Sequence, residues 1–274
     1  MKRIVTIQDI SCLGKCSLTL ALPIISAMGI ETSIIPTAVL SAHTIFEGHT
    51  FKDLTEDIPS IGEHWKKEGF TFDAIYTGYL GSEEQIDIML DFFSDFKNEN
   101  NFILVDPVMA DGGELYDNFD DKFPSKMRKL CAKADVITPN LTEACLLTDS
   151  EYKKDYDEKY IDGIISKLSD IGAKNIVLKG VDLNGKYGII CQSGKERHYI
   201  THEKLSGTFY GTGDIFASVL TGAITRGESI YEATNTAAEF TLECIKATVK
   251  DKDKRFYGVN FEEALPMLTE KYIK

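Results

Sequence analysis

Short apolar runs alternate with stretches of helical period along most of the chain. Residues 4–7 (Ile4-Val5-Thr6-Ile7) read as a buried strand, followed by a turn through residues 9–14. Leu18, Leu22, Ile25 and Met28 then recur at helical spacing, and Gly29 closes that helix. Further strands are expected at 32–36, 72–76, 102–105, 135–138 and 175–179. A hairpin is expected from 187–191 and 197–201 around Ser193-Gly194. Helices are expected near 53–68, stopped by Gly69, near 121–133, and near 160–171. Others are expected after the cap signals Ser82-x-x-Gln85, Asn140-x-x-Glu143, Ser229-x-x-Glu232 and Asn260-x-x-Glu263. Residues 37–50 read as irregular and polar, and 149–159 as a charged exposed segment. Residues 107–120, with Asp111-Gly112-Gly113, read as a loop long enough to be a lid. This order predicts a single α/β domain over residues 1–274, with a mostly parallel sheet and helices on both faces.

The polar clusters fall where such strands end: residues 9–11, Tyr79, residues 106–111, residues 138–143, Lys179 and residues 211–214. Ligands of open parallel sheets bind beyond those ends. The run GTFYGTGDIFAS at 207–218 is the centre of the pattern. Gly207, Gly211 and Gly213 precede an apolar helical stretch beginning at Ile215. Glycine permits positive φ and close backbone approach, and a helix start presents unpaired N–H groups to an anion. Asp214 at that turn can take a proton from an alcohol, the pairing that phosphoryl transfer needs. Taken alone, the same residues also describe an ordinary glycine turn with a capping aspartate. The chain lacks G-x-x-x-x-G-K-[ST], and no G-x-G-x-x-G follows its first strand, so a nucleotide would be held by another arrangement.

Composition narrows the classes. The net charge of −13 disfavours a binder of nucleic-acid backbones. No apolar run reaches the length of a membrane span, and the first residues enter a strand pattern without a signal-peptide core. The six cysteines are scattered without C-x-x-C, which points to reduced thiols in a cytoplasmic protein rather than a zinc site.

Several ordered motifs resemble a known family. GTGD at 211–214, VDPVMAD at 105–111 and ITPNLTEA at 137–144 are similar to the ribokinase-like superfamily of ATP-dependent small-molecule kinases. TGYLGS at 77–82, TIQD at 6–9 and AHT at 42–44 look like the pyridoxal kinases within it. The run at 9–29 resembles the bacterial branch usually called pyridoxamine kinases. The resemblance implies transfer of the ATP γ-phosphate to the 5′-hydroxyl of pyridoxal, pyridoxine or pyridoxamine. It makes Asp214 the base, and the amides of Gly211, Thr212, Gly213 and Asp214 the anion hole. Asp111, Thr138, Asn140 and Glu143 match positions serving ATP phosphates and Mg²⁺, with Glu143 and Asp111 as the metal carboxylates. Lys179 matches a nucleotide-contacting lysine. His43, Thr44 and Tyr79 match the vitamin pocket. Asp106 precedes Pro107 and ranks below Asp111 as a metal contact, since it can serve its own loop. Asp9 stands where many pyridoxal kinases carry serine near the ring nitrogen. Either Asp9 pairs with a protonated pyridine nitrogen, or Ser11 takes that role and Asp9 caps the turn. The resemblance also implies a homodimer and closure of the 107–120 loop over ATP. A monovalent cation requirement stays open. Two rival readings remain: a hydroxymethylpyrimidine kinase, whose relatives usually read GTGC where this chain has GTGD, and a non-catalytic binder of nucleotide or pyridoxal phosphate.

Overall fold

A computed structural model describes residues 1–273. The first strand, β1 (Arg3–Ser11), is longer than its apolar run because its polar end stays paired with the next strand. It is followed by α1 (Leu18–Ala27), β2 (Glu31–Leu40), β3 (Phe51–Asp53), α2 (Ile58–Lys67), β4 (Ala74–Thr77), α3 (Glu83–Phe96) and β5 (Phe102–Val105). A small two-stranded hairpin, β6 (Ala110–Asp111) and β7 (Glu114–Leu115), interrupts the 107–120 segment. Then come α4 (Phe123–Cys131), β8 (Val136–Ile137), α5 (Leu141–Leu147), α6 (Glu158–Ile171), β9 (Asn175–Leu183), β10 (Lys186–Ser193) and β11 (Glu196–Thr201). The chain ends with α7 (Thr212–Thr225), α8 (Ile230–Lys250), a 3₁₀ turn at Phe261–Glu263 and α9 (Leu265–Tyr272).

Among the described residues, nine strands form one sheet in the order β11-β10-β9-β8-β5-β4-β1-β2-β3. The six from β9 to β2 run parallel, and antiparallel strands finish both edges. Alternation along each strand divides the core. Val5, Ile75, Ile103 and Ile176 face α2 to α6, while Ile4, Ala74, Leu104 and Val177 face α1, α7, α8 and α9. Helices thus cover both faces, as expected from the order of elements. Among the described residues, no helix is long and apolar enough to cross a membrane.

Four local expectations are corrected. Residues 37–40 continue β2, and residues 51–53 form an edge strand rather than the start of a helix. The Ser82 hydroxyl caps α3 by accepting from the Gln85 N–H, but the Gln85 side chain does not complete a capping box. It is fully buried and instead accepts from the Gly81 N–H while donating to the Thr37 carbonyl and Thr55 hydroxyl. Asn260-x-x-Glu263 opens only a 3₁₀ turn, because the Asn260 amide donates to Asp251 and Glu263. The last helix begins after Ala264, with Pro266 in its first turn.

Gln85 ties three segments together through polar groups that have no apolar substitute. Gln85→Leu keeps the volume and leaves those partners unpaired. It is expected to cost about 3 kcal/mol, read from the midpoint shift in urea unfolding. An unchanged midpoint would mean that water replaces the amide.

Candidate active site

Sheet topology gathers the expected residues along the carboxyl ends of the parallel strands. Asp106 follows β5 and is almost fully buried. Its Oδ1 accepts from Lys179 Nζ at 2.8 Å and from the Thr138 hydroxyl at 2.9 Å. Lys179 lies within β9, beside residues 139 and 140. Its N–H donates to the Pro139 carbonyl, and a parallel bridge joins it to Asn140. The two aspartates differ in their surroundings. Asp106 is the carboxylate inside the cluster, whereas Asp111 is exposed on the β6–β7 hairpin and accepts from the Gly112 N–H.

Asn140 and Glu143 form the capping box that opens α5. The Asn140 side chain accepts from the Glu143 N–H, and Glu143 Oε2 accepts from the Asn140 N–H at 2.8 Å. Glu143 is also buried beside Asp106. Burial and then that neighbour push its carboxyl up to about 8, while Lys179 opposes them. Capping and a place among the charged groups thus coincide in one residue. The hairpin is docked on the same helix start: Asn140 Nδ2 donates to the Ala110 carbonyl, and the Gly113 N–H donates to the Thr142 hydroxyl. Gly113 has φ +97°, and a Cβ there would meet the Tyr152 ring at 2.7 Å.

Across the cluster, α7 starts at Thr212 with Gly211 as its N-cap at φ 80°. Asp214 stands in the first turn, half-buried, and its Oδ2 accepts from the Ser17 N–H at 2.9 Å. Burial pushes its carboxyl up to about 7. Asp106 and Asp9 add to that, while the Ser17 N–H and Lys179 oppose it. Gly213 sits beside Lys179, since a Cβ there would lie 3.8 Å from Nζ. Lys179 is held above its usual range: burial pulls it down, but Asp106 and Glu143 outweigh that.

The vitamin-pocket residues expected from the sequence lie on β1 and on the loops after β2 and β4. Asp9 is buried near the end of β1 and accepts from the Ser11 hydroxyl at 3.3 Å. Burial raises its carboxyl, against the Ser17 and Ser11 hydroxyls. His43 is half-buried, and its Nδ1 accepts from the Ile45 N–H at 3.1 Å. Its ring lies 5.4 Å from that of Tyr210, a partner the sequence did not single out. Tyr79 is half-buried, and its hydroxyl accepts from Asn118 at 2.8 Å. Thr44 is exposed on the same loop as His43. Asp9, Asp106, Lys179 and Asp214 therefore belong to one electrostatic unit, with Glu143 at its far end.

Two buried carboxyl groups near one lysine fit Mg²⁺, which takes one or two carboxylates and completes its shell with water and phosphate oxygens. Among the described residues, no three of His, Cys, Asp and Glu converge into a site made of protein ligands alone.

Comparison with known proteins agrees with this architecture. A family model described as phosphomethylpyrimidine kinase matches residues 25–258. The hydroxymethylpyrimidine/phosphomethylpyrimidine kinase of Aquifex aeolicus is 31% identical over 188 residues, covering 67% of this chain and 71% of that one. A Bacteroides thetaiotaomicron protein provisionally assigned as a phosphomethylpyrimidine kinase is 41% identical, with TM-score 0.94, over 97% of this chain and 93% of its own. Another crystal form of it, with pyridoxal, gives 40% identity and TM-score 0.92 over 97% and 95%. Pyridoxal kinase from Lactobacillus plantarum is 29% identical, with TM-score 0.91 over 99% and 98%.

The raised Asp214 carboxyl has a consequence for the unligated protein. In the unfolded chain it ionises near 3.8, and in the fold near 7. Its stabilising contribution is complete below pH 3.8 and is lost as pH rises through 7. Asp214→Asn removes that loss. Thermal melts without ligand are expected to show the variant above wild type at pH 8, with the gap narrowing toward pH 4.5. A gap independent of pH would contradict the assignment.

Proposed function

The chain belongs to the phosphomethylpyrimidine kinase family, and on that premise we propose that it transfers the ATP γ-phosphoryl group to the 5′-hydroxyl of a vitamin B6 vitamer. The observation that carries the reading is Asp214: a half-buried carboxylate at a helix start, beside Gly211 and Gly213 and across from Lys179. Asp214 accepts the hydroxyl proton as the vitamer oxygen bonds to γ-phosphorus, and the bond to the bridging oxygen of ADP breaks. The free N–H groups of residues 211–214 meet the charge on the transferring group. Lys179 offsets phosphate charge from the other side, with Thr138 and Asp106 fixing its position. Asp106 and Glu143 would hold Mg²⁺, with Asp111 at the rim. The ion supplies charge neutralisation on the phosphates and orients them.

Pyridoxal in the Bacteroides crystal form and the likeness to the Lactobacillus pyridoxal kinase favour a B6 acceptor. In this reading Asp9 pairs with the protonated pyridine nitrogen, and Tyr79, His43 and Thr44 border the ring. The reading extends to B6 salvage by a cytoplasmic homodimer. The second reading is a hydroxymethylpyrimidine kinase, favoured by the Aquifex relative. The mechanism is the same, and only the acceptor differs.

ADP release with Mg-ATP across pyridoxal, pyridoxine, pyridoxamine and hydroxymethylpyrimidine tests the reading. Turnover of a B6 vitamer is expected, falling about 100-fold or more in Asp214→Asn. Turnover of hydroxymethylpyrimidine alone would replace the substrate. Because the base must be ionised, wild-type kcat/KM is expected to rise as pH passes through about 7 and then level off. A rate flat from pH 5 to 9 would remove Asp214 from that role.

Asp9→Asn is expected to raise KM for the vitamer about ten-fold while leaving KM for ATP within two-fold, since it loses a charge-assisted contact to the ring alone. An unchanged vitamer KM would assign the ring nitrogen to Ser11 or to water.

A further inference from the structure

Residues 12–17 join β1 to α1 and pass between the start of α7 and residues 258–262. Three observations show how tightly they are held. Ser17 has φ 48° and ψ −131°, a conformation rarely adopted outside glycine. The other described non-glycine residues at positive φ are Asp149 and Asn184, types that tolerate it in turns. The Lys15 carbonyl lies against Gly211, where any Cβ would come within 2.1 Å of it. The Lys15 stem lies against Gly258, where a Cβ would meet its Cβ at 2.4 Å. Beyond that contact, Lys15 Nζ donates to Glu262 Oε2 at 2.8 Å and to Asn260 Oδ1 at 3.4 Å, and lies 5.7 Å from the centre of the Phe261 ring. Asn260 is fastened in turn, its N–H donating to the Thr248 hydroxyl near the end of α8.

This arrangement has one evident product at the site. It aims the Ser17 N–H at Asp214 Oδ2, the one protein donor that this carboxylate has among the described residues. Such strain persists only where the surroundings over-determine it, and here the surroundings are Gly211, Gly258 and the Lys15 anchor. We propose that residues 12–17 are a positioning strap for the Asp214 carboxylate, with Lys15 and its anchor at residues 258–262 as positioning residues for catalysis. Fixing Oδ2 sets the side-chain rotamer and leaves Oδ1 for the acceptor hydroxyl. The C-terminal segment thereby governs the reacting geometry without touching substrate. The proposal rests on the reading of Asp214 as the base.

The test is a double-mutant cycle on the full chain, using ATP and pyridoxal, or hydroxymethylpyrimidine if that is the acceptor. Lys15→Met keeps the stem and removes the anchor. It is expected to lower kcat about ten-fold with KM for ATP within two-fold, and Lys15→Arg is expected to restore kcat to within two-fold. Gly258→Ala displaces the stem without removing charge and is expected to lower kcat in the same way. In Asp214→Asn, adding Lys15→Met is expected to cause no further loss, because the residue it acts through is gone. Equal fractional losses in both backgrounds, or a wild-type kcat in Lys15→Met, would overturn the strap while leaving Asp214 as base. A wild-type kcat in Asp214→Asn would overturn both.

Discussion

Asp106, Glu143 and Asp214 bring three carboxyl groups to one end of the parallel strands, with the Lys179 ammonium among them. Like charges drawn out of water are tolerated only when paired, protonated or met by a cation. Pairing and protonation both occur here. Asp106 is paired with Lys179, while Glu143 and Asp214 hold protons well above the carboxylate range. The surrounding architecture serves this cluster. Strand β9 carries Lys179 alongside the end of β8, and the α5 capping box fixes Glu143. Helix α7, on the other face of the sheet from α5, carries Asp214 in its first turn. On the proposed reading, a cation and a polyanion enter such a charge balance together, because each reduces the cost of the other.

The parallel frame was legible because burial wrote it into the chain. The runs at 4–7 and 102–105 are largely apolar and buried, and α3, α5, α6 and α8 open on side-chain caps. Elements held mainly by backbone pairing left no such trace. β3 is the exposed sequence Phe51-Lys52-Asp53, and it is a strand only because β2 offers residues 38–40 for antiparallel pairing. The two-residue strands of the β6–β7 hairpin are equally silent. The hairpin is placed by Asn140, Thr142 and the contact of Gly113 with Tyr152, all distant in sequence.

The site was legible to a similar degree. Motif order marked Asp214, Glu143, Asn140, Thr138 and Lys179, and the fold draws these together. The burial of Asp106 and the exposure of Asp111 were not legible. Whether a carboxylate faces inward depends on the bend after β5, and a proline beside Asp106 suggested a purely local role. Tyr210 and Lys15 were invisible for a different reason. Each acquires its partner across about 170 or more residues, and no local pattern marks such a meeting.

The approach of the Lys15 carbonyl to Gly211 separates two kinds of information in the GTGD run. Gly211 is required by packing, because no side chain fits between α7 and residues 12–17. Asp214 has no comparable steric reason to be there. A relative that had lost phosphoryl transfer but kept the fold would still be bound to the glycine, and would be free to drift at the aspartate. Among chains of this architecture, glycine at this position therefore reports inheritance of the scaffold, while the residue three positions later is left free to follow whatever chemistry the site carries.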